Sequence, residues 1–163
     1  MGPETLVSLA AALERLDASP SRVLDVGTGT GAAARLVAER FPGAEVVGVD
    51  LAPAMVEEAR RVLPRGLAGR VRFEVADASE LPFQAGAFDL VVLLNMIPFF
   101  PELGRVTAPG GAVVVASSSG AETPIWTPPE TLRRGLELLG FGRFEELAAG
   151  SGTAFVARRN EGG

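Results

Sequence analysis

The chain has 163 residues, enough for one domain with its own core and too few for a second. Apolar residues make up 47% and charged residues 21%, which excludes a mainly disordered chain, and a formal charge of −5 disfavours nucleic acid as a partner. His, Cys, Tyr and Lys are all absent, which removes the common zinc ligands, thiol nucleophiles, Schiff-base amines and imidazole bases; no metal site is expected, and any protein base must be Asp or Glu.

Leu6, Leu9, Ala10, Leu13 and Leu16 recur at helical spacing until Asp17-Ala-Ser-Pro20 breaks the pattern, which predicts an amphipathic helix within residues 1–20. Glu4, Glu14, Arg15 and Asp17 interrupt the apolar run that a signal peptide needs, so a cytoplasmic protein is expected. Arg22–Val26 reads as a strand, Gly27-Thr-Gly-Thr-Gly31 as a tight turn, and Ala32–Phe41 as a helix stopped by Pro42-Gly43. The unit repeats: Glu45–Val49 is strand-like, Asp50 ends it, and Pro53 suits the first turn of a helix over Ala54–Leu63. Val71–Val75, Phe88–Leu94 and Ala112–Ser117 are further strands. The apolar run from Leu90 towards Phe100 is broken by Asn95 and Pro98 and is too short to cross a bilayer. A polar loop follows over residues 118–128, then a helix over Pro129–Leu139, and strands over Arg143–Leu147 and Thr153–Arg158 flank an Ala-Ala-Gly-Ser-Gly turn. Alternating strands and helices imply a mostly parallel sheet with helices on both faces, closed by an antiparallel hairpin. The reading is one domain over 1–163: a helix (1–20), a core (21–117), a loop (118–128), and a final helix and hairpin (129–163).

The glycine loop between the first strand and its helix is placed to let a ligand approach the backbone. Its spacing alone names no cofactor: Gly27, Gly29 and Ala32 also satisfy the dinucleotide fingerprint, with Asp50 at a distance suited to a ribose hydroxyl. Asp25 favours a different ligand, since a carboxylate beside the loop repels a pyrophosphate but suits the amino and sulfonium cations of S-adenosylmethionine. Asp77, ending the third strand, is placed to accept a hydrogen bond from an adenine amino group. Asp50 and Asp77 are equally good helix or turn caps.

Through VLDVGTGTG, VVGVDLAPAMVEEAR, VRFEVADASELPF, FDLVVLLNMIPFF and APGGAVVVA, the chain from about Val23 to Ser117 resembles the class I S-adenosylmethionine-dependent methyltransferases, and closely their small-molecule, ubiquinone-biosynthesis-like branch. The resemblance implies a Rossmann-like three-layer α/β domain with a seven-stranded sheet of order 3-2-1-4-5-7-6, the last strand antiparallel. It also implies that Gly27, Thr28, Gly29 and Gly31 hold the methionine part, Asp50 the ribose hydroxyls, Leu51 and Met55 a face of the adenine, and Asp77 and Ala78 its edge. Asn95 would border the methyl-transfer site.

Pro98, Phe99, Phe100, Ile125 and Trp126 are candidates for an apolar acceptor pocket, because their segments follow strand ends where open α/β sheets bind ligands. Core packing is the competing reading for each. Asn95 and Glu122 are the candidate catalytic residues, with a solvated loop glutamate as the leading reading of Glu122. Asp89, at the opposite end of the sheet, is expected to organise a turn. The function these residues imply is transfer of a methyl group from S-adenosylmethionine to a small molecule, in a displacement that needs alignment more than acid–base chemistry. The alternatives are a nicotinamide dinucleotide-binding protein and a silent S-adenosylmethionine-binding module.

Overall fold

Strands covered on both faces are built from unbroken apolar runs, and that pattern organises the chain. A computed structural model describes residues 3–162; residues 1–2 of the opening segment and residue 163 of the closing one lie outside the described residues. The chain opens with a 3-10 turn, Pro3–Leu6, leading into α1 (Val7–Leu13), which buries Ser8, Leu9, Ala12 and Leu13. Then come β1 (Arg22–Val26), α2 (Ala32–Arg40), β2 (Glu45–Asp50), α3 (Pro53–Val62) and β3 (Val71–Val75). The second half runs β4 (Phe88–Leu94), α4 (Phe100–Val106), β5 (Thr107–Ser117), α5 (Pro129–Glu137), β6 (Phe141–Ala149) and β7 (Gly152–Arg159). Proline stands in the first turn of α3, α4 and α5, where no backbone donor is lost to the helix.

The seven strands form one sheet of order β3-β2-β1-β4-β5-β7-β6. β1 pairs in parallel with β2 and β4, β2 with β3, and β4 with β5, whereas β7 lies antiparallel to both β5 and β6. Order and direction agree with the expectation from the family resemblance. The two largest departures from the sequence reading are at β5 and α4. β5 begins at Thr107 rather than Ala112, because Thr107 pairs with Phe88 before a register shift at Phe88/Leu90 takes up the Pro109-Gly110-Gly111 segment. α4 occupies a stretch to which the sequence reading assigns no element.

Apolar side chains fill both faces of the sheet. On one face Val23, Val46, Leu90 and Val114 pack beneath α1, α2 and α3; on the other Leu24, Val47, Val91 and Val113 pack beneath α4 and α5. This period-two division of each central strand between two cores rigidly positions the strand ends.

At the N-terminal end of the sheet Asp89 ties β4 to the entry of β1. Its carboxylate accepts hydrogen bonds from the Ser21 amide (3.0 Å) and hydroxyl (2.8 Å) and from the Arg22 amide (3.0 Å). Asp89→Ala leaves those donors to water, so a loss of about 2 kcal/mol is expected, read as a drop of about 5 °C in the thermal midpoint. An unchanged midpoint counts against this role.

Candidate active site

The glycine loop is pinned across the sheet. The amides of Gly27 and Thr28 both donate to the Val49 carbonyl of β2, at 2.9 and 2.8 Å. Gly27 (φ 74°) and Gly29 (φ 56°) take left-handed backbone conformations that a side chain disfavours. Gly27 is also forced by contact, since a Cβ there would stand 2.7 Å from the Met96 sulfur. Asp50 closes the loop from the end of β2: one carboxylate oxygen accepts from the Gly29 amide (2.9 Å), the other from the Ala52 amide (3.0 Å).

Beneath the loop lies Asp25, with no exposed surface. The Thr28 hydroxyl donates to its Oδ2 at 2.7 Å, while Oδ1 is buried with no hydrogen-bond partner. Burial raises the pKa to about 6; Thr28 and the nearby Ala34 amide oppose the rise, and the charge of Asp50 adds to it. The Ala34 amide acts from outside hydrogen-bond geometry, since Oδ1 is left unpaired.

In front of the loop is a cavity of about 290 Å³ whose lining includes Gly27, Asp50, Leu51, Asp77, Ala78 and Met96. Asp77 is exposed at its edge and also caps its own turn, accepting from the Ser79 amide (2.8 Å) and hydroxyl (2.7 Å); the Ser79 bonds hold its pKa below the usual carboxylate value. A second cavity, of about 260 Å³, opens beyond the ends of β4 and β5, walled by Trp126, Phe155, Val115 and Leu132. Trp126 is oriented there by its indole N–H, which donates to Thr153 Oγ1 at 3.2 Å.

The donor chemistry suits a cationic ligand: an unpaired buried carboxylate oxygen beneath the loop, a second carboxylate at its rim, and no Arg among the residues lining either cavity. Residues 23–111 match the family described as methyltransferase domain. The chain belongs to the class I S-adenosylmethionine-dependent methyltransferases. It is 50% identical over 108 residues to a demethylmenaquinone methyltransferase of Thermus thermophilus, an alignment covering 61% of this chain and 48% of that protein. It is 38% identical over 130 residues to a malonyl-[acyl-carrier protein] O-methyltransferase of Geobacter sulfurreducens, covering 80% of this chain and 43% of the other. The chain thus spans less than half the length of these two relatives. Its fold matches a chain in the solved complex between the Haloferax volcanii Trm112 methyltransferase activator and a methyltransferase, with a TM-score of 0.79 at 19% identity over 96% of this chain and 91% of that one. S-adenosylmethionine is the cofactor of the family, which decides against the nicotinamide alternative.

In this methyltransferase fold the residues predicted for the cofactor fall in different places. Gly27, Asp50, Leu51, Asp77 and Ala78 line one cavity. Asp25 is buried beneath the loop; Thr28, buried, and Gly29, bonded to Asp50, belong to the loop itself, and Gly31 is the N-cap of α2. Met55 lies on α3, 45% exposed and outside the cavity lining. Asn95 borders the second cavity in a left-handed conformation (φ 55°), with its amide group spent on Ser118: Oδ1 accepts from the Ser118 amide at 2.9 Å and Nδ2 donates to its hydroxyl at 3.0 Å.

Glu122 is exposed on a 3-10 turn and lines neither cavity. The carboxylate at the second cavity is instead Glu146 of β6, paired with Arg133 at 3.2 Å. The register shift between Gly142 and Glu145 interrupts the alternation along β6, so no local pattern marks it. Of the suggested acceptor residues, Ile125 and Trp126 line that cavity and Phe99 the other. Phe100 packs its ring against Gly135 of α5, in place of that residue's absent Cβ.

Burial of Asp25 gives stability a distinctive pH dependence. Its folded pKa of about 6 lies above the ordinary carboxylate value of 3.8, so between those limits the native state binds the extra proton, and this contribution to stability is lost as pH rises. The loss amounts to about 3 kcal/mol. Chemical denaturation from pH 4 to pH 7 should show this decline, and Asp25→Asn should flatten it whatever its offset. An equal slope in both proteins would assign the effect elsewhere.

Proposed function

We propose that this chain transfers the methyl group of S-adenosylmethionine to a small, largely apolar molecule in the cytoplasm, with no nucleic-acid partner. The observation that carries the reading is the pair of carboxylates about the glycine loop, Asp25 beneath it and Asp50 at its rim. With a pKa of about 6, Asp25 is largely ionised at neutral pH, and the field it sets up favours a cation over a pyrophosphate.

The cofactor supplies an electrophilic methyl group when bound. Gly27, Thr28 and Gly29 would hold its methionine part. Asp50 would accept hydrogen bonds from its ribose hydroxyls, and Leu51, Asp77 and Ala78 would enclose its adenine. The second cavity would receive the acceptor between Trp126 and Phe155, with Asn95 as a fixed boundary. Displacement at a methyl carbon needs alignment and exclusion of water more than a protein base. Accordingly, three of the polar side chains about this cavity are already paired: Asn95 with Ser118, Trp126 with Thr153, Glu146 with Arg133. The named activities of the two relatives, on a quinone precursor and on an acyl-carrier-bound malonyl group, support a small acceptor without choosing one.

Isothermal titration with S-adenosylhomocysteine and with NAD tests the cofactor. The homocysteine compound is expected to bind and NAD not. Asp50→Ala, which removes a charged acceptor at the rim, should weaken that binding at least about tenfold. Binding of NAD with none of the homocysteine compound would overturn the proposal, and turnover of methyl-labelled cofactor on a panel of phenols, acids and amines separates an enzyme from a silent binding module.

A further inference from the structure

The two cavities meet at Met96. Among the described residues it alone borders both, and its side chain lies across Gly27, whose absent Cβ would stand 2.7 Å from the sulfur and 2.9 Å from Cγ. Met96 packs against the core beneath α4 and α5 yet is only partly buried, and it lines both cavities, of about 290 Å³ and about 260 Å³.

Resting on the methyltransferase reading above, the geometry points to the Met96 side chain as a movable partition between donor and acceptor, and so as a residue that governs how much acceptor bulk reaches the reacting methyl. Donor and acceptor atoms must approach to about 3–3.5 Å along one line, which a side chain standing between the two chambers prevents. Met96 therefore has to swing aside, and its chemistry suits that motion: an unbranched thioether with several rotatable bonds repacks at little cost.

The backbone before it is held still. The Asn95 amide donates to the Ala116 carbonyl at 2.9 Å, and the Asn95 side chain is fastened to Ser118. Movement thus falls to the Met96 side chain. Gly27 is part of the same device, because any residue with a Cβ at that position would expel the thioether from the boundary.

The test needs no knowledge of the acceptor. Titration calorimetry compares S-adenosylhomocysteine with analogues in which nitrogen replaces the sulfur and carries methyl or benzyl, the benzyl group reaching towards the second cavity. The native protein should bind the benzyl compound at least about tenfold more weakly than the methyl compound. Met96→Ala should abolish most of that gap, read as the ratio of the two affinities within each protein, and Met96→Leu, of similar bulk, should restore it. Met96→Phe, a stiffer and larger wall, should widen the gap, which keeps the test open if the alanine variant does not fold.

A methyl-to-benzyl ratio that is the same in the native, alanine and phenylalanine proteins, with S-adenosylhomocysteine still bound, overturns the partition alone. Failure of S-adenosylhomocysteine to bind the native protein overturns the methyltransferase reading and the partition with it.

Discussion

Placing a carboxylate with no exposed surface at the end of β1 is the most demanding local arrangement in this structure, and its neighbours are fitted to it. Desolvation disfavours the charge; the Thr28 hydroxyl returns part of that loss. Thr28 can reach Asp25 because its own amide, with that of Gly27, is held on the Val49 carbonyl. That hold requires the left-handed turn at Gly27, and the turn in turn directs Gly29 to Asp50. One buried charge therefore links the strand, the loop and the neighbouring strand end. Departures from ordinary burial rules of this kind tend to mark function, since stability alone would favour an apolar residue.

The fold was legible wherever local pattern and tertiary role coincide. β1, β3 and β4 have the bounds that their apolar runs and flanking Gly, Asp or Pro indicate. The first residues of β5 were not legible, because Thr107-Ala-Pro-Gly-Gly reads locally as a turn and becomes strand only by pairing with Phe88. α4 was hidden for a similar reason: Pro98 and Pro101 look like breakers, yet Pro101 occupies a first turn that tolerates it.

The site divides in the same way. Positions carried by the strand–loop motif, such as Gly27, Asp50 and Asp77, could be placed at adjacent strand ends before any coordinates. Met96 and Glu146 could not. Met96 matters through its contact with a glycine 69 positions earlier in the chain, and Glu146 through the face that β6 presents once β7 pairs with it. The two readings of Asp77, as a cap and as a ligand position, do not exclude each other, since it holds Ser79 while standing at the edge of the cavity.

The all-arginine basic complement acquires a structural meaning from where the guanidinium groups lie. Their planar forks gather backbone carbonyls: Arg70 donates to Ala38, Ala44 and Phe41, Arg105 to Phe83 and Leu81, and Arg60 twice to Phe73. At the hairpin, Arg158 is 11% exposed and joins Glu145 (2.6 Å) to the carbonyls of Arg15 and Arg143. A lysine ammonium cannot bridge separated acceptors in this planar geometry. These forks brace loops and edges, and none borders the two cavities at the C-terminal ends of the strands. Positive charge is thus used where the chain must be tied, the Thr30 carbonyl of the glycine loop included, which Arg35 holds at 2.9 Å, while no guanidinium lines the cavity that Asp50 borders. A sulfonium donor would meet no guanidinium among the residues that line its approach, and an anionic acceptor would find none there to hold it.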